Sequence, residues 1–305
     1  MSPPAGDRTL DLGLVVAAHG RHVVVETPEG DRVRCLTRGK KSELVVGDRV
    51  RWLASGDEGV IERLEPRRNL FHRQDEWRSK SFAANLDLIL VLVAPEPPFS
   101  EMQLTRALVA AESAGIAVLL ALNKVDLASA DAARERLRPY RAMGFERIEL
   151  ALKHDAAAAV ALLTPHLTGR TTLVLGASGM GKSTLINVLV PSAAAQVGEL
   201  SVALNSGRHT TTTSTWYWLG EGRDSALIDS PGFQEFGLHH IEPMALAGLM
   251  PDLRAAMGHC RFHNCTHRHE PGCGVRAAAE RGEIAPARLR LYEALFDELS
   301  QPQRW

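Results

Sequence analysis

The sequence predicts a multidomain α/β protein: an OB-like β-barrel at the N-terminus, a central P-loop domain on a parallel sheet, and a C-terminal zinc-binding helical domain. Three observations carry this reading. Five short strand-like runs fall within Leu12–Leu64, the string GASGMGKS stands at Gly176–Ser183 between two apolar runs, and three of the four cysteines crowd into residues 260–273.

The length of 305 residues fits two or three domains, and 45% hydrophobic residues are enough to fill packed cores. The longest apolar run, about Leu86–Ala94, is too short to span a membrane, and MSPPAGDRTLD lacks the basic-then-apolar pattern of a secretory signal. A cytoplasmic protein with no membrane partner is expected. The formal net charge of −1 excludes a polycation, so any nucleic-acid surface has to be local.

Leu12–Ala17, His22–Thr27, Arg32–Leu36, Arg49–Leu53 and Gly59–Leu64 read as strands, with Pro28-Glu29-Gly30-Asp31 and Val46-Gly47-Asp48 as turns. Five short strands in so little chain suggest a small barrel, of which the oligonucleotide/oligosaccharide-binding (OB) fold is the common case. In Arg32-Val33-Arg34-Cys35 and Arg49-Val50-Arg51-Trp52 a period of two puts arginines on one face and apolar groups on the other. With Arg38, Lys40 and Lys41 such a face suits RNA phosphates; with Asp31, Glu43 and Asp48 interspersed it suits an ordinary solvated face equally well. Cys35 reads as a buried apolar thiol. The following stretch is polar and arginine-rich and reads as a linker over 67–84, after a barrel over 1–66.

A second domain, 85–245, opens with Leu86–Val93, a near-continuous apolar run of the kind that buried parallel strands show. A Pro-rich loop (Pro95–Pro98) leads to a helix over Glu101–Ala114 that Gly115 ends, and the strand Ala117–Leu122 runs into Asn123-Lys124-Val125-Asp126. A carboxylate placed like Asp126 can accept from the N1–H and 2-amino groups of guanine, a donor pair that adenine lacks. Asn123 and Lys124 would brace the loop and pack over the base. Helical patterns follow at Ala128–Arg138 and Asp155–Leu163.

The apolar run Leu173–Leu175 and the pattern Leu185, Ile186, Val188, Leu189 give the glycine-rich string a strand–loop–helix context, which distinguishes it from an incidental β–α turn. Gly176, Ala177, Ser178, Gly179, Met180, Gly181 and Thr184 would turn backbone N–H groups onto phosphate oxygens at a helix N-terminus. Lys182 would reach the β- and γ-phosphates and the Ser183 hydroxyl would join the coordination of Mg²⁺. Further on, Arg208-His209-Thr210-Thr211 offers a threonine for the γ-phosphate and Mg²⁺, or else the edge of the strand Trp216–Leu219, whose aromatics read as core. Ala226-Leu227-Ile228 then leads into Asp229-Ser230-Pro231-Gly232, where the carboxylate would hold Mg²⁺ through water and Gly232 N–H would meet the γ-phosphate.

In a conventional GTPase the base-reading NKxD comes last; here it precedes the phosphate loop, so the P-loop GTPase domain reads as circularly permuted. On NKVD, GASGMGKSTLIN, GRHTTT and DSPGF, flanked by a small barrel and a Cys/His cluster, the chain resembles the circularly permuted, ribosome small-subunit-dependent GTPases called RsgA or YjeQ/YloQ. The resemblance implies a monomeric maturation factor that binds GTP, GDP and the rRNA of the small ribosomal subunit, and hydrolyses GTP with Mg²⁺, faster on the subunit. Two oddities stand against the general GTPase pattern. No serine occurs near Leu150-Ala151-Leu152-Lys153, where the second base-contacting loop is expected, and Phe233 stands where many GTPases carry a water-orienting glutamine. The family pattern makes His209 the candidate for that role. An alternative is a GTP-dependent RNA-binding module with negligible turnover.

Cys260, Cys265, His267 and Cys273, in the last domain (246–305), are spaced C-x4-C-x-H-x5-C, a donor set that can close a tetrahedral structural Zn²⁺ site. His259, His263 and His269 are substitutes for the nitrogen donor by proximity; the resemblance selects His267. Pro286–Leu299 reads as a terminal helix with Leu289, Leu291, Leu295 and Phe296 as its apolar positions. The chain order leads the Asp229 loop straight into this domain, which suggests that the two are coupled.

Overall fold

The computed structural model describes residues 10–19, 22–37, 43–56, 58–75, 79–193, 214–230 and 236–301. Arg38, Lys40, Lys41, His209, Thr211, Gly232 and Phe233 lie outside the described residues.

β1 (Asp11–His19), β2 (His22–Glu26), β3 (Arg32–Thr37), β4 (Arg49–Ser55) and β5 (Glu58–Leu64) pair in the order β1-β2-β3-β5-β4, and β4 returns to β1. The sheet therefore closes on itself, with β3 and β5 parallel and the other pairs antiparallel. Period-two alternation fills the lumen with Val15, Val23, Val25, Cys35, Val50, Trp52 and Ile61, a core of its own. Burial pushes the Cys35 thiol up to about 12, so it behaves as the apolar filler expected. The arginine row is charge-compensated: Arg32 pairs with Glu26 at 3.0 Å, Arg34 with Glu58 at 3.3 Å and Arg51 with Glu65 at 3.3 Å.

The stretch read as a linker is instead a β-hairpin, β6 (Leu70–Gln74) and β7 (Ser79–Ala84). Its polar majority hides a few anchors, Phe71, Phe82, Ala83 and Ala84, all buried. The arginines that suggested solvent are also tied down, Arg67 to the fully buried Asp48 at 2.7 Å and Arg68 to Asp87 at 2.8 Å. The hairpin is pinned to the barrel by Ala84 N–H to Val46 O (3.0 Å) and by the Asn85 amide donating to Gly47 O (2.8 Å).

The central sheet runs β10 (Glu146–Leu150), β9 (Ala117–Asn123), β8 (Leu88–Val93), β11 (Thr171–Leu175), β13 (Ala226–Asp229), β12 (Thr215–Trp218), all parallel except β12. β8 is buried at every residue, as its apolar run requires. The alternating charges of Glu146-Arg147-Ile148-Glu149 gave no strand signal; β10 is an edge strand, where half-exposure tolerates them. Helices α1 (Glu101–Ser113), α2 (Ala130–Ala142), α3 (Ala156–Leu167) and α4 (Lys182–Leu189) connect these strands. Ser100 and Asp155 cap α1 and α3 by accepting from Gln103 N–H and Ala158 N–H. At its other edge β12 pairs with β1 through Ala17 and Thr215, so the barrel and the parallel sheet are one continuous ladder.

A 3₁₀ turn (Pro243–Leu249) leads to α5 (Pro251–Met257), α6 (Gly274–Glu280) and α7 (Pro286–Leu299). The last matches its sequence reading, but its buried residues include Arg288 and Tyr292, which an apolar pattern cannot find. Arg288, 4% exposed, forks onto Asp252 of α5 at 2.8 and 3.2 Å and donates to Thr105 of α1 at 2.8 Å. Burial opposes its charge, and the Asp252 carboxylate outweighs that, holding its pKa above the ordinary arginine value. The buried ion pair thus joins α5 to α7, and the hydrogen bond to Thr105 ties the pair to α1 of the central domain. No described helix is long and apolar enough to cross a membrane.

Candidate nucleotide and metal sites

Because β9 and β11 are parallel, Asn123 and Leu175 end at the same edge of the sheet, where ligands of open α/β sheets bind. The loops that leave them meet in a cavity of about 570 Å³. Asn123, Lys124 and Asp126 line one side of it, Ser178, Gly179, Gly181, Lys182, Ser183 and Thr184 the other, with Glu96, Leu127, Leu152 and Lys153 between. Gly176, Ala177 and Met180 form the back of the phosphate loop, against Leu92 and Phe99.

Asn123 joins the two halves. It is 3% exposed, its amide donates to Met180 O at 2.9 Å, and its carbonyl accepts Leu152 N–H at 3.2 Å. The residue expected to brace the base loop therefore also fixes the phosphate loop and the 150s turn. Gly181 caps α4 with φ +107°, and a Cβ there would lie 2.3 Å from the Asn123 amide nitrogen, so the close approach requires glycine. Lys124 reaches across to Glu96 O, and Ser129 Oγ donates to the Glu96 carboxylate. Glu96 was not found from the sequence, because nothing in a Pro-rich loop marks its carbonyl as a lysine acceptor.

Lys182 Nζ donates to Gly176 O at 2.6 Å and Ala177 O at 3.2 Å, which holds the ammonium across the mouth of the loop. Burial pushes its pKa below the usual lysine value, and the charge of Asp229 opposes this. Asp229 ends β13 beside β11; burial pushes its carboxyl up to about 6 while Lys182 pulls it down. Next to it, Ser230 is 1% exposed and its hydroxyl donates to Val174 O at 2.6 Å. Ser183 lines the same cavity as Lys182, and the Asp229 carboxylate is close enough to Lys182 for their charges to interact.

The second cluster lies between α5 and α6. Cys260, Cys265, His267 and Cys273 each bring one ligand atom within 4.8 Å of the others, and all three thiols are free of disulfides. Gly274 N–H points to Cys260 Sγ at 3.3 Å and Arg276 N–H to Cys273 Sγ at 3.5 Å, contacts that suit thiolates. His267 adopts φ +61°, which turns its ring into the group, and its Nδ1 lies 3.5 Å from Cys260 Sγ and 3.6 Å from Cys273 Sγ. Three thiols and an imidazole in this arrangement fit a closed tetrahedral metal site. The loop is braced from outside by Glu270, which accepts Thr266 and His269 N–H, and by Tyr292 of α7, whose hydroxyl donates to Thr266 O at 2.7 Å.

The model of the RsgA GTPase family matches residues 64–239. A relative from Variovorax paradoxus (strain S110), named small ribosomal subunit biogenesis GTPase RsgA, is 60% identical over 299 residues, which cover 96% of this chain and 94% of the relative. The chain belongs to the RsgA GTPase family. It is a GTPase of circularly permuted fold, and the family's solved structures carry the same architecture. YjeQ from Thermotoga maritima is 29% identical, covers 96% of this chain and 100% of its own, and superposes with a TM-score of 0.73. YloQ, described as a circularly permuted GTPase, covers both chains fully with a TM-score of 0.71; at 24% identity that likeness is one of fold.

Proposed function

We propose that this chain is a cytoplasmic, monomeric assembly factor that binds the small ribosomal subunit late in its maturation and hydrolyses GTP faster on the subunit than alone. The observation that carries the reading is Asn123, which gathers the phosphate loop and the NKVD loop into one cavity, in a chain whose relatives are named for small-subunit biogenesis. Asp126 would read guanine, the backbone of Gly176–Thr184 would cradle the phosphates, and Lys182 would neutralise the β- and γ-oxygens. Mg²⁺, bound with GTP near Ser183, Thr211 and Asp229, would supply charge neutralisation at the phosphates. Gly232 would orient the γ-phosphate and His209 the attacking water. The barrel over 1–66 and the C-terminal region over 246–305 are assigned to ribosomal RNA, and the domain between them to the nucleotide.

Phosphate release titrated with purified small subunits tests this. A saturable rise in turnover is expected. Tight GTP binding with no turnover at any subunit concentration would instead support a binding module that uses GTP only as an occupancy signal. Replacing His209 by alanine is expected to lower turnover on the subunit and leave nucleotide affinity nearly intact; unchanged stimulated turnover removes it from the mechanism.

The Cys3His cluster is assigned to one structural Zn²⁺. So short a segment buries little core of its own, so the ion's binding energy would be its folding energy. Purified protein is expected to carry one zinc per chain. Chelation, or Cys265→Ser, should raise amide exchange across residues 258–281 and spare the barrel. An unchanged exchange pattern after verified removal of the metal would refute the assignment.

A further inference from the structure

The segment of residues 95–99, which follows β8, touches both halves of the nucleotide cavity. On the phosphate side, Gly179 has φ +81° and a Cβ on it would come 3.0 Å from Pro97, so the segment lies close against the phosphate loop. On the base side, Lys124 Nζ donates to Glu96 O and the Ser129 hydroxyl donates to the Glu96 carboxylate at 2.5 Å. Arg136 of α2 fixes the far end of the segment: it donates to Phe99 O at 2.8 Å and its guanidinium lies 4.2 Å from the centre of the Phe99 ring.

Ser129 stands at the N-cap of α2, where a serine hydroxyl ordinarily accepts from a backbone N–H two or three residues on. It makes no such bond and donates to Glu96 instead. Lys124 adopts φ +62°, a left-handed conformation that a residue with a Cβ enters at a cost. Both residues give up a locally favourable arrangement, and both end on Glu96. Because its backbone sits in the NKVD turn and its ammonium on Glu96 O, the Lys124 stem spans the gap between the two along the cavity wall.

We propose that Glu96 and Ser129 are a pair of positioning residues for the guanine base. Ser129 holds the Glu96 carboxylate, the residue so held presents its carbonyl to Lys124, and the stem of Lys124 keeps its place near Asp126 as an apolar surface for the base. The proposal rests on the GTP reading above and deepens it, since it puts a determinant of nucleotide retention in a segment that carries no nucleotide motif. Among the described residues, neither is hydrogen-bonded to Lys182, Ser183 or Asp229, so the pair bears on retention of the base and not on chemistry at the phosphates.

The test uses the full-length chain with Ser129→Ala, Glu96→Ala, the two together, and the conservative changes Ser129→Thr and Glu96→Gln. Dissociation of a fluorescent GDP analogue is followed by stopped flow, beside KM and kcat for GTP, inhibition by inorganic triphosphate and the thermal midpoint. Each alanine variant is expected to speed dissociation by about 5- to 10-fold, the effect of one ordinary hydrogen bond, and to raise KM while kcat stays within about twofold of wild type. The double variant should be no worse than Glu96→Ala, because the two residues act as one unit. Ser129→Thr keeps the donor and Glu96→Gln keeps an acceptor, so both should stay within about twofold of wild type. Inorganic triphosphate has no base, and its inhibition constant should not change.

Wild-type dissociation in both alanine variants overturns the proposal. Effects that add in the double variant overturn the pairing, and a parallel loss of triphosphate inhibition or of kcat marks general loosening and overturns it too. If Glu96→Ala does not fold, Ser129→Ala against Ser129→Thr decides in the same way. A wild-type chain that holds neither GDP nor GTP overturns the GTP reading itself, a result distinct from a tight-binding wild type with indifferent variants.

Discussion

Replacing Lys182 by alanine is expected to lower GTP turnover by roughly 10²- to 10³-fold, the usual cost of removing one preorganised charge from the transferring group. The structure gives the reason in the chain's own terms. Burial pushes the pKa of the ammonium down while the charge of Asp229 opposes this, and the carbonyls of Gly176 and Ala177 fix its position. No second lysine or arginine lines the cavity next to the phosphate loop except Lys124 and Lys153, which lie on the base side among the described residues. Single-turnover hydrolysis with excess enzyme measures the effect. GDP binding should weaken far less than turnover falls, since the backbone amides of the loop remain. A variant that retains more than about a tenth of the wild-type rate would mean that this charge is not the one that meets the developing negative charge.

Asp126→Asn is the second large effect, and it is a change of base rather than a loss. Guanine presents two donors on its N1 and 2-amino groups, and a carboxylate accepts both. An asparagine in the same place offers one acceptor and one donor, so the 2-amino group is left facing an N–H. Affinity for GTP is expected to fall on the order of 10⁴-fold, the discrimination that unpaired polar groups in a site produce. Xanthosine triphosphate, with a carbonyl where guanine has its amine, should gain affinity in the same variant. The turn that carries Asp126 is fixed independently by Asn123 and by Leu127 N–H to Lys124 O at 3.1 Å, so the substitution leaves the loop in place. Competition between the two nucleotides for one fluorescent reporter reads both halves, and an unaltered preference for GTP would show that Asp126 does not face the base.

The barrel, the parallel sheet, the loop cavity and the metal cluster were legible in the sequence because each rests on local pattern: alternation in β1 to β5, the unbroken apolar run of β8, the spacing of Gly176 to Ser183, the spacing of the cysteines. What escaped was everything decided by distant partners. The hairpin of residues 70–84 looked like a linker because Arg67 and Arg68 read as solvent-seeking, whereas Asp48 and Asp87, far along the chain, neutralise them. α5 and α6, of seven residues each, are too short to show a helical period. Arg288 carries no sign of burial in the apolar pattern of its helix; only the fold brings Asp252 and Thr105 to it. Asn123 is instructive in another way. The motif named it, but the second bond, to the phosphate loop, is a property of the permuted chain's assembled sheet edge and of no motif.

The order of β8, β9 and β11 in the sheet also sets a timetable for a chain made from its N-terminus. The barrel is complete once Leu64 has been made, because β4 and β5 close it without any later strand. β8 then obtains its first neighbour, β9, soon afterwards, but its other edge waits for Thr171, since β11 is inserted between β8 and the still later β13. During synthesis this protein therefore carries an open, fully apolar strand edge for the time it takes to make everything from β9 to α3, the exposure that invites pairing with the wrong chain. Chaperone dependence and misassembly should be sought in that interval. A truncated chain that ends after α3 is the species in which they would be seen.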